Sequence, residues 1–218
     1  MKNQKLNDLR SLVKELVLQE NSSRLLIEAA FTPENMPDDE LYIELDISEN
    51  GFHVFLLKGS RKNRVGYVTA LRSDVGEFGE CSGAFVSTHT WSGIKGMGPL
   101  LYDVAIDIAS ELGGGLASDR YEVSKDALSV WRYISKNRPD IQKKQLDNLD
   151  NELTPDDDDN CDMDSALEND PDVQSGKIHW KNSPLSKVAY RPGLQIIKRL
   201  IKAGRLKLDG NSRMYLNL

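Results

Sequence analysis

The chain has 218 residues, 39% of them hydrophobic, and 34 acidic against 28 basic side chains give a net charge of −6. That suffices for one real core with an appended subdomain, and no apolar run approaches the roughly 18 residues that cross a bilayer, so no membrane partner is expected. Cys81 and Cys161 belong to no CxxC pair and His53, His89 and His179 complete no zinc set, so a reduced, cytoplasmic setting without a metal is expected.

Met1 to Gln19 carries charge throughout and lacks an apolar h-region, which predicts no signal peptide. Within it Leu9, Leu12, Val13, Leu16 and Val17 recur at helical spacing, predicting an amphipathic helix over Asn7 to Gln19. A second apolar run, Leu25 to Phe31, ends at Thr32-Pro33 and a turn rich in Pro and Asp. Leu41 to Ile47 alternates, and Asn50-Gly51 turns the chain into a second strand, Phe52 to Leu57. A polar turn at Ser60 to Asn63 precedes a third strand, Val65 to Leu71. A fourth is expected within Cys81 to Thr88, which makes an antiparallel meander.

The period then changes to that of a helix. Leu100, Leu101, Val104, Ala105, Ile108, Ala109 and Leu112 line one helical face, ended by Gly113-Gly114-Gly115. Leu116-Ala117-Ser118 reads as a short buried parallel strand, and Ser124 as the N-cap of a helix through Asn137 that carries Ala127, Leu128, Trp131 and Ile134. Asp147 to Asp172 is poor in apolar residues and reads as a long loop. After Lys177 to Trp180 and a turn at Asn182-Ser183-Pro184 come a strand near Val188 and a basic helix, Leu194 to Ala203, closed by Gly204. Asp209-Gly210 then predicts a terminal hairpin joining Leu206–Leu208 to Met214–Leu216. No internal repeat is present.

Charge divides the chain unevenly. Twelve acidic residues and no Lys or Arg lie between Lys144 and Lys177, whereas Lys177 onward holds ten basic residues against one acid, Asp209. The acidic stretch is expected to be a solvated loop, to fold over the basic tail, or to leave that tail for an anionic partner. Three regions follow: a core over 1–145 that includes the N-terminal helices, an acidic loop over 146–176, and a basic extension over 177–218 packed on the core.

Gly93-Ile-Lys-Gly-Met-Gly-Pro-Leu-Leu101 delivers the backbone through a glycine turn into a helix. Glycine lets a chain pass close to a ligand, Pro99 fits the first helical position, and the helix start leaves amide N–H groups free for phosphate oxygens. Lys95, Gly96, Met97 and Gly98 are therefore the candidate pyrophosphate cradle.

Antiparallel strands, glycine turn, helix, short strand and helix, in that order over about Leu41 to Asn137, resemble the GNAT acetyltransferase superfamily. The resemblance implies an α+β fold, a central mostly antiparallel sheet flanked by helices, here with an acidic loop and a basic C-terminal helix plus hairpin. That family binds the pyrophosphate of acetyl-CoA with an Arg/Gln-x-x-Gly-x-Gly/Ala segment. Gly96 and Gly98 match its small positions, and Gly93 stands where Arg or Gln is usual, leaving Lys95 to supply charge. Val86-Ser87-Thr88 is similar to the strand whose backbone pairs with the pantetheine arm, and Val65 to Val68 to the strand before it. On the next helix Ala127 fits a small residue that the family follows, four on, with a tyrosine acting as general acid. Trp131 occupies that place, and an indole has no proton of use there. Tyr133, two positions further and on the other side of the helix, is the remaining tyrosine. Ser124 replaces an Asn that can contact coenzyme A.

The chain also resembles GNAT-like proteins encoded in tailed-phage genomes. That likeness lies in Gly96-Met-Gly-Pro-Leu-Leu-Tyr-Asp103, Val123-Ser124 with Trp131, Gln145-Leu-Asp147, Leu153-Thr-Pro155, Asp159-Asn-Cys-Asp162 and Ser183-Pro-Leu-Ser-Lys187.

Other residues are weighed by their chemistry. His89, expected between the fourth strand and the glycine turn, is the candidate general base, with an ordinary pKa of about 6.5. Trp91 covers a ligand or fills its own core. Glu77 and Glu80 are bases through water or plain turn carboxylates. Asp156 to Asp162 lacks the glycine and terminal Glu of an EF-hand, so no metal is expected, and Cys161 has no basic neighbour to activate it. Lys198, Arg199, Lys202, Arg205 and Lys207 lie in no recognised binding motif, which argues against nucleic acid.

The expected function is an acetyl-CoA-dependent N-acyltransferase of unknown acceptor, with His89 and Tyr133 as catalytic candidates and Val86, Thr88, Lys95, Gly96, Met97, Gly98 and Ser124 as the cofactor-binding set. The alternative is a non-catalytic GNAT-like phage protein acting through protein contacts, virion-associated or directed at a host factor.

Overall fold

A computed structural model of the chain describes residues 30–72, 81–146 and 167–218. The helix expected over Asn7 to Gln19, most of the run from Leu25, Glu77, Glu80, Cys161 and the Asp156–Asp162 stretch lie outside the described residues.

Strands β1 (Leu41–Ser48), β2 (Gly51–Lys58) and β3 (Asn63–Arg72) form the meander that alternation predicts. Leu41, Ile43, Leu45 and Ile47 of β1 are buried with Phe52, Val54 and Leu56 of β2, because alternate residues of a strand share a face. Gly51 starts β2 where a Cβ would lie 2.4 Å from the Ala70 carbonyl oxygen of β3. Strand β4 (Phe85–Ser92) continues the meander antiparallel to β3. The remaining strands are β5 (Leu116–Ala117), β6 (Gln142–Gln145), β7 (Lys187–Tyr190) and β8 (Leu206–Leu208). The eight strands of the described residues join one sheet in the order β6-β7-β5-β4-β3-β2-β1-β8. Pairing is antiparallel except between β4 and β5 and between β1 and β8. The fold is therefore mixed α+β, and residues 187–190 and 206–208 belong to the same sheet as the meander.

Among the described residues five α-helices accompany it: α1 (Gly98–Leu112), α2 (Lys125–Asn137), α3 (Pro171–Gln174), α4 (Gln195–Lys202) and α5 (Gly210–Tyr215). Helix α1 lies on β2, β3, β4, β5 and β7, with α2 and α4 against its flanks. Every residue from Pro99 to Ser110 is consequently buried, not one face alone. The two acids this buries are paired. Arg191, 0% exposed, donates from Nε to Asp107 Oδ1 at 2.7 Å and from Nη1 to Asp103 Oδ1 at 3.1 Å and Asp140 Oδ2 at 2.9 Å. The second oxygen of Asp107 accepts the amides of Ile196 (2.6 Å) and Ile197 (3.1 Å), capping α4 from another element.

Four expectations are corrected and one unforeseen strand is added. The terminal hairpin is absent: Met214 and Tyr215 lie in α5, because Asp209 Oδ1 accepts the Ser212 amide at 2.7 Å and so caps a helix instead of entering a turn. The fourth strand runs four residues beyond Thr88, to Ser92, so His89 lies within β4 and not after it. Polar Gln142–Gln145 forms edge strand β6, which alternation could not reveal in the run Gln-Lys-Lys-Gln. The expected loop to Asp172 ends earlier, in a short turn at Leu167–Asn169 followed by α3, whose N-cap Asp170 is buried against Ser183 Oγ (2.6 Å) and Arg132 (2.9 Å). Cys81 is fully buried and disulfide-bonded, so it is not the reduced thiol expected. No helix among the described residues is long and apolar enough to cross a membrane.

Candidate functional site

Parallel strands β4 and β5 pair only at Phe85 with Leu116 and Val86 with Ala117. Beyond Val86 they part, and the chain leaving β5 swings away through Ser118 to Ser124 before entering α2. The outer edge of β4 from Ser87 to Ser92 therefore has no neighbouring strand among the described residues. A cleft opens along it in two adjoining parts. One, of about 520 Å³, is lined by Thr88, His89, Asp119, Tyr121 and Glu122 among others. The other, of about 400 Å³, extends to Trp91, Gly98 and Asp126 at the starts of α1 and α2. Tyr67, Thr90, Tyr102, Ser124 and Ala127 line both.

The wall of the cleft is irregular in a defined way. Thr69 of β3 faces His89 while the next residue, Ala70, faces Ser87, so Thr88 is an extra residue in β4 and forms a β-bulge. The bulge resets alternation. Ser87 and Thr90, three apart, line the cleft together with Tyr102, whose hydroxyl donates to Thr90 Oγ1 at 3.3 Å. Burial pushes the Tyr102 phenol above its ordinary value, with the hydrogen bond to Thr90 acting against that push. The ring packs edge-on against Trp131, with centroids 5.3 Å apart.

The sequence candidates separate by position. Thr88, His89 and Ser124 line the larger part of the cleft and Gly98 the smaller. His89 is exposed, its Nδ1 3.2 Å from Thr88 Oγ1. Ser124 Oγ is occupied in capping α2, accepting the Ala127 amide at 3.2 Å. Val86 is half-buried, and its outer edge is taken by Ala117 of β5. In the glycine turn Gly96 has φ +87°, a conformation that favours glycine. Lys95 is exposed there, while Met97 is fully buried and its amide donates to the Ile94 carbonyl at 3.2 Å. Met97 thus supplies packing, and its amide is not free for a phosphate. Gly93 is the seat of Trp91: a Cβ there would lie 3.0 Å from the indole ring. Trp91, in the smaller part, is 51% exposed and tilted against Tyr67, and Tyr121, in the larger part, is 88% exposed.

Tyr133 is not in this cleft. It lines a separate cavity of about 500 Å³ with Asp103, Arg138 and Arg199 on another flank of α1. It lies two positions past Trp131, and two positions along a helix turn a side chain through more than half a circle.

Compared with known proteins, the chain matches no family model, no curated protein and no solved structure. The site is accordingly described by its own chemistry. Asp119, Glu122 and Asp126 line the cleft, and no Lys or Arg does among the described residues. Oδ1 of Asp119 is used locally, accepting the amides of Tyr121 and Glu122. No group of three or more metal-ligating side chains gathers among the described residues. What converges instead is a neutral phenol, several hydroxyls, an imidazole and carboxylates, a set that can orient an amine and move protons. Tyr102 and Thr90 were missed in the sequence. The available signal was the spacing Gly98 to Tyr102, one helical turn past the glycine turn.

Proposed function

We propose that the chain is an acetyl-CoA-dependent N-acyltransferase whose acceptor is a cationic amine. One observation carries the reading: the parallel strands β4 and β5 part directly in front of a glycine turn that opens a helix, with a bulged residue in the cleft wall. The residues present fit the cofactor in part. Gly96 holds the turn, Gly98 has only Val130 Cγ2 near it, at 3.6 Å, and Lys95 stands exposed beside them. The free edge of β4 begins past Val86, so the pantetheine arm would run along Thr88 and Thr90. The acidic inner lining favours a positively charged acceptor. An acyl thioester is already activated, so positioning supplies most of the rate.

The experiment is calorimetric titration of acetyl-CoA into the parent and into Gly98→Glu. A Cβ at Gly98 meets only ordinary contact, and a carboxylate in the first helical turn is favourable to the helix, so the variant folds. Binding in the parent should weaken by roughly tenfold or more in the variant through charge repulsion. Absence of parent binding at millimolar ligand removes the reading.

The alternative, a non-catalytic phage protein working through protein contacts, draws support from the exposure of Trp91 and Tyr121 in the cleft. Retained coenzyme A binding counts against it. The disulfide at Cys81 removes the argument for a reducing cytoplasm.

A further inference from the structure

We propose that the free edge of β4 is a docking site for an extended, lysine- or arginine-bearing segment of another protein, which adds to the sheet as a strand. The inference does not need the acyltransferase reading, since the added strand takes the edge along which pantetheine would run. It gives the protein-contact alternative a place and a chemistry. The register shows which backbone groups are available. The Gly93 amide donates to the Val65 carbonyl of β3 at 2.9 Å, and Trp91 and His89 stand opposite Tyr67 and Thr69 of the same strand. Antiparallel pairing alternates, so Trp91 and His89 turn their amides and carbonyls to β3, whereas Thr90 and Ser92 turn theirs to the cleft. The Phe85 amide, on that same outer side, is taken by the Gly115 carbonyl at 2.8 Å. Beyond the fork no strand lies against this side among the described residues, and residues 87–92 make roughly 17 Å of edge.

Edges that stay solitary are blunted by lysine, proline or brevity. The outer edges of this sheet are of that kind: β6 carries Lys143 and Lys144, and β8 has three residues with Lys207 at its centre. Strand β4 carries neither Lys nor Pro, and its bulge at Thr88 leaves the stretch beyond it in regular register. What faces that edge selects the occupant. Asp119, Glu122 and Asp126 line the cleft, and no Lys or Arg does among the described residues. Trp91 and Tyr121 add exposed rings, on which cationic side chains can rest. The same carboxylates repel a polyanion such as a nucleic acid. In strand addition the main-chain bonds supply affinity and the side-chain surroundings supply preference, and the preference here is for positive charge.

The probe is a terminally blocked heptapeptide of alternating lysine and valine, titrated by calorimetry into the full chain. Its counterpart with glutamate in place of lysine should bind at least about tenfold more weakly. A third peptide, N-methylated at every interior backbone nitrogen, keeps the charge but cannot donate to a sheet edge, and it should also lose about tenfold or more. The double variant Glu122→Gln with Asp126→Asn should bind the lysine peptide roughly tenfold more weakly. Both side chains are exposed, so the variant folds. No binding of the lysine peptide at millimolar concentration overturns the proposal. Equal binding of the N-methylated peptide overturns it as well, by reducing the contact to charge attraction without a strand. Unchanged affinity in the double variant overturns it by placing the peptide elsewhere. No arm contains coenzyme A, so the acyltransferase reading is decided separately by the acetyl-CoA titration.

Discussion

Arg191 joins three carboxylates that belong to two different parts of the chain, Asp103 and Asp107 on α1 and Asp140 before β6. A guanidinium suits this place because its planar donors reach several acceptors at once and its charge persists when buried. Arg191→Met is expected to cost about 3–5 kcal/mol, since it leaves buried carboxylates without their partner. Urea unfolding measures this, and a midpoint unchanged from the parent would contradict the pairing. Gly93 illustrates the opposite economy at residue scale. A Cβ there would lie 3.0 Å from the Trp91 ring, so a side chain at this position requires the ring to give by a few tenths of an ångström.

Among the elements, helices α2 and α4 start by different means. Helix α2 begins at a residue whose own side chain caps it, since Ser124 Oγ accepts the Ala127 amide. Helix α4 begins at Leu194, with φ 52° and no side-chain cap, and takes its acceptor from Asp107 on α1. Ser124→Ala should therefore lower stability by about 1 kcal/mol through fraying of α2, read from the shift in denaturant midpoint. A shift near zero would mean that the cap contributes nothing. The start of α2 was legible in the sequence because the cap is local, and that of α4 was not, because its cap comes from a residue almost ninety positions earlier. Strand β4 follows the same rule. Its polar run Thr88-His-Thr-Trp91 lacks an apolar face, and the bulge that aims it depends on β3, so its extent and the inward turn of Ser87 and Thr90 were hidden.

At the scale of the molecule, ion pairs between distant segments make stability depend on pH. Arg199 holds the Glu34 carboxyl at about 2. Burial pushes Asp140 up, but Arg138 and Arg191 outweigh it and hold that carboxyl well below the usual range. Burial raises the Asp107 carboxyl despite Arg191 and two amides, which opposes the stabilisation drawn from Asp140 and Glu34. Both are depressed in the folded chain, which then binds fewer protons than the unfolded one. Their stabilisation is complete above about pH 5 and is lost as pH falls toward about 2. Urea midpoints measured through that window should fall with pH, and a flat series would contradict the pairing.

The β1–β3 meander, α1 and α2 could be read from the chain alone, because alternation, helical period, a glycine stop and a local cap are all properties of neighbours in sequence. The same holds for the glycine turn and its Gly96. The cleft could not be read so. It exists because β4 and β5 part after two residue pairs, and its chemistry depends on a phenol from α1, hydroxyls from a bulged strand and carboxylates after β5. The place of Tyr133 was decided likewise, by which flank of α1 its helix face meets. Sequence spacing determines which side chains share a face, whereas packing between distant elements determines what that face confronts.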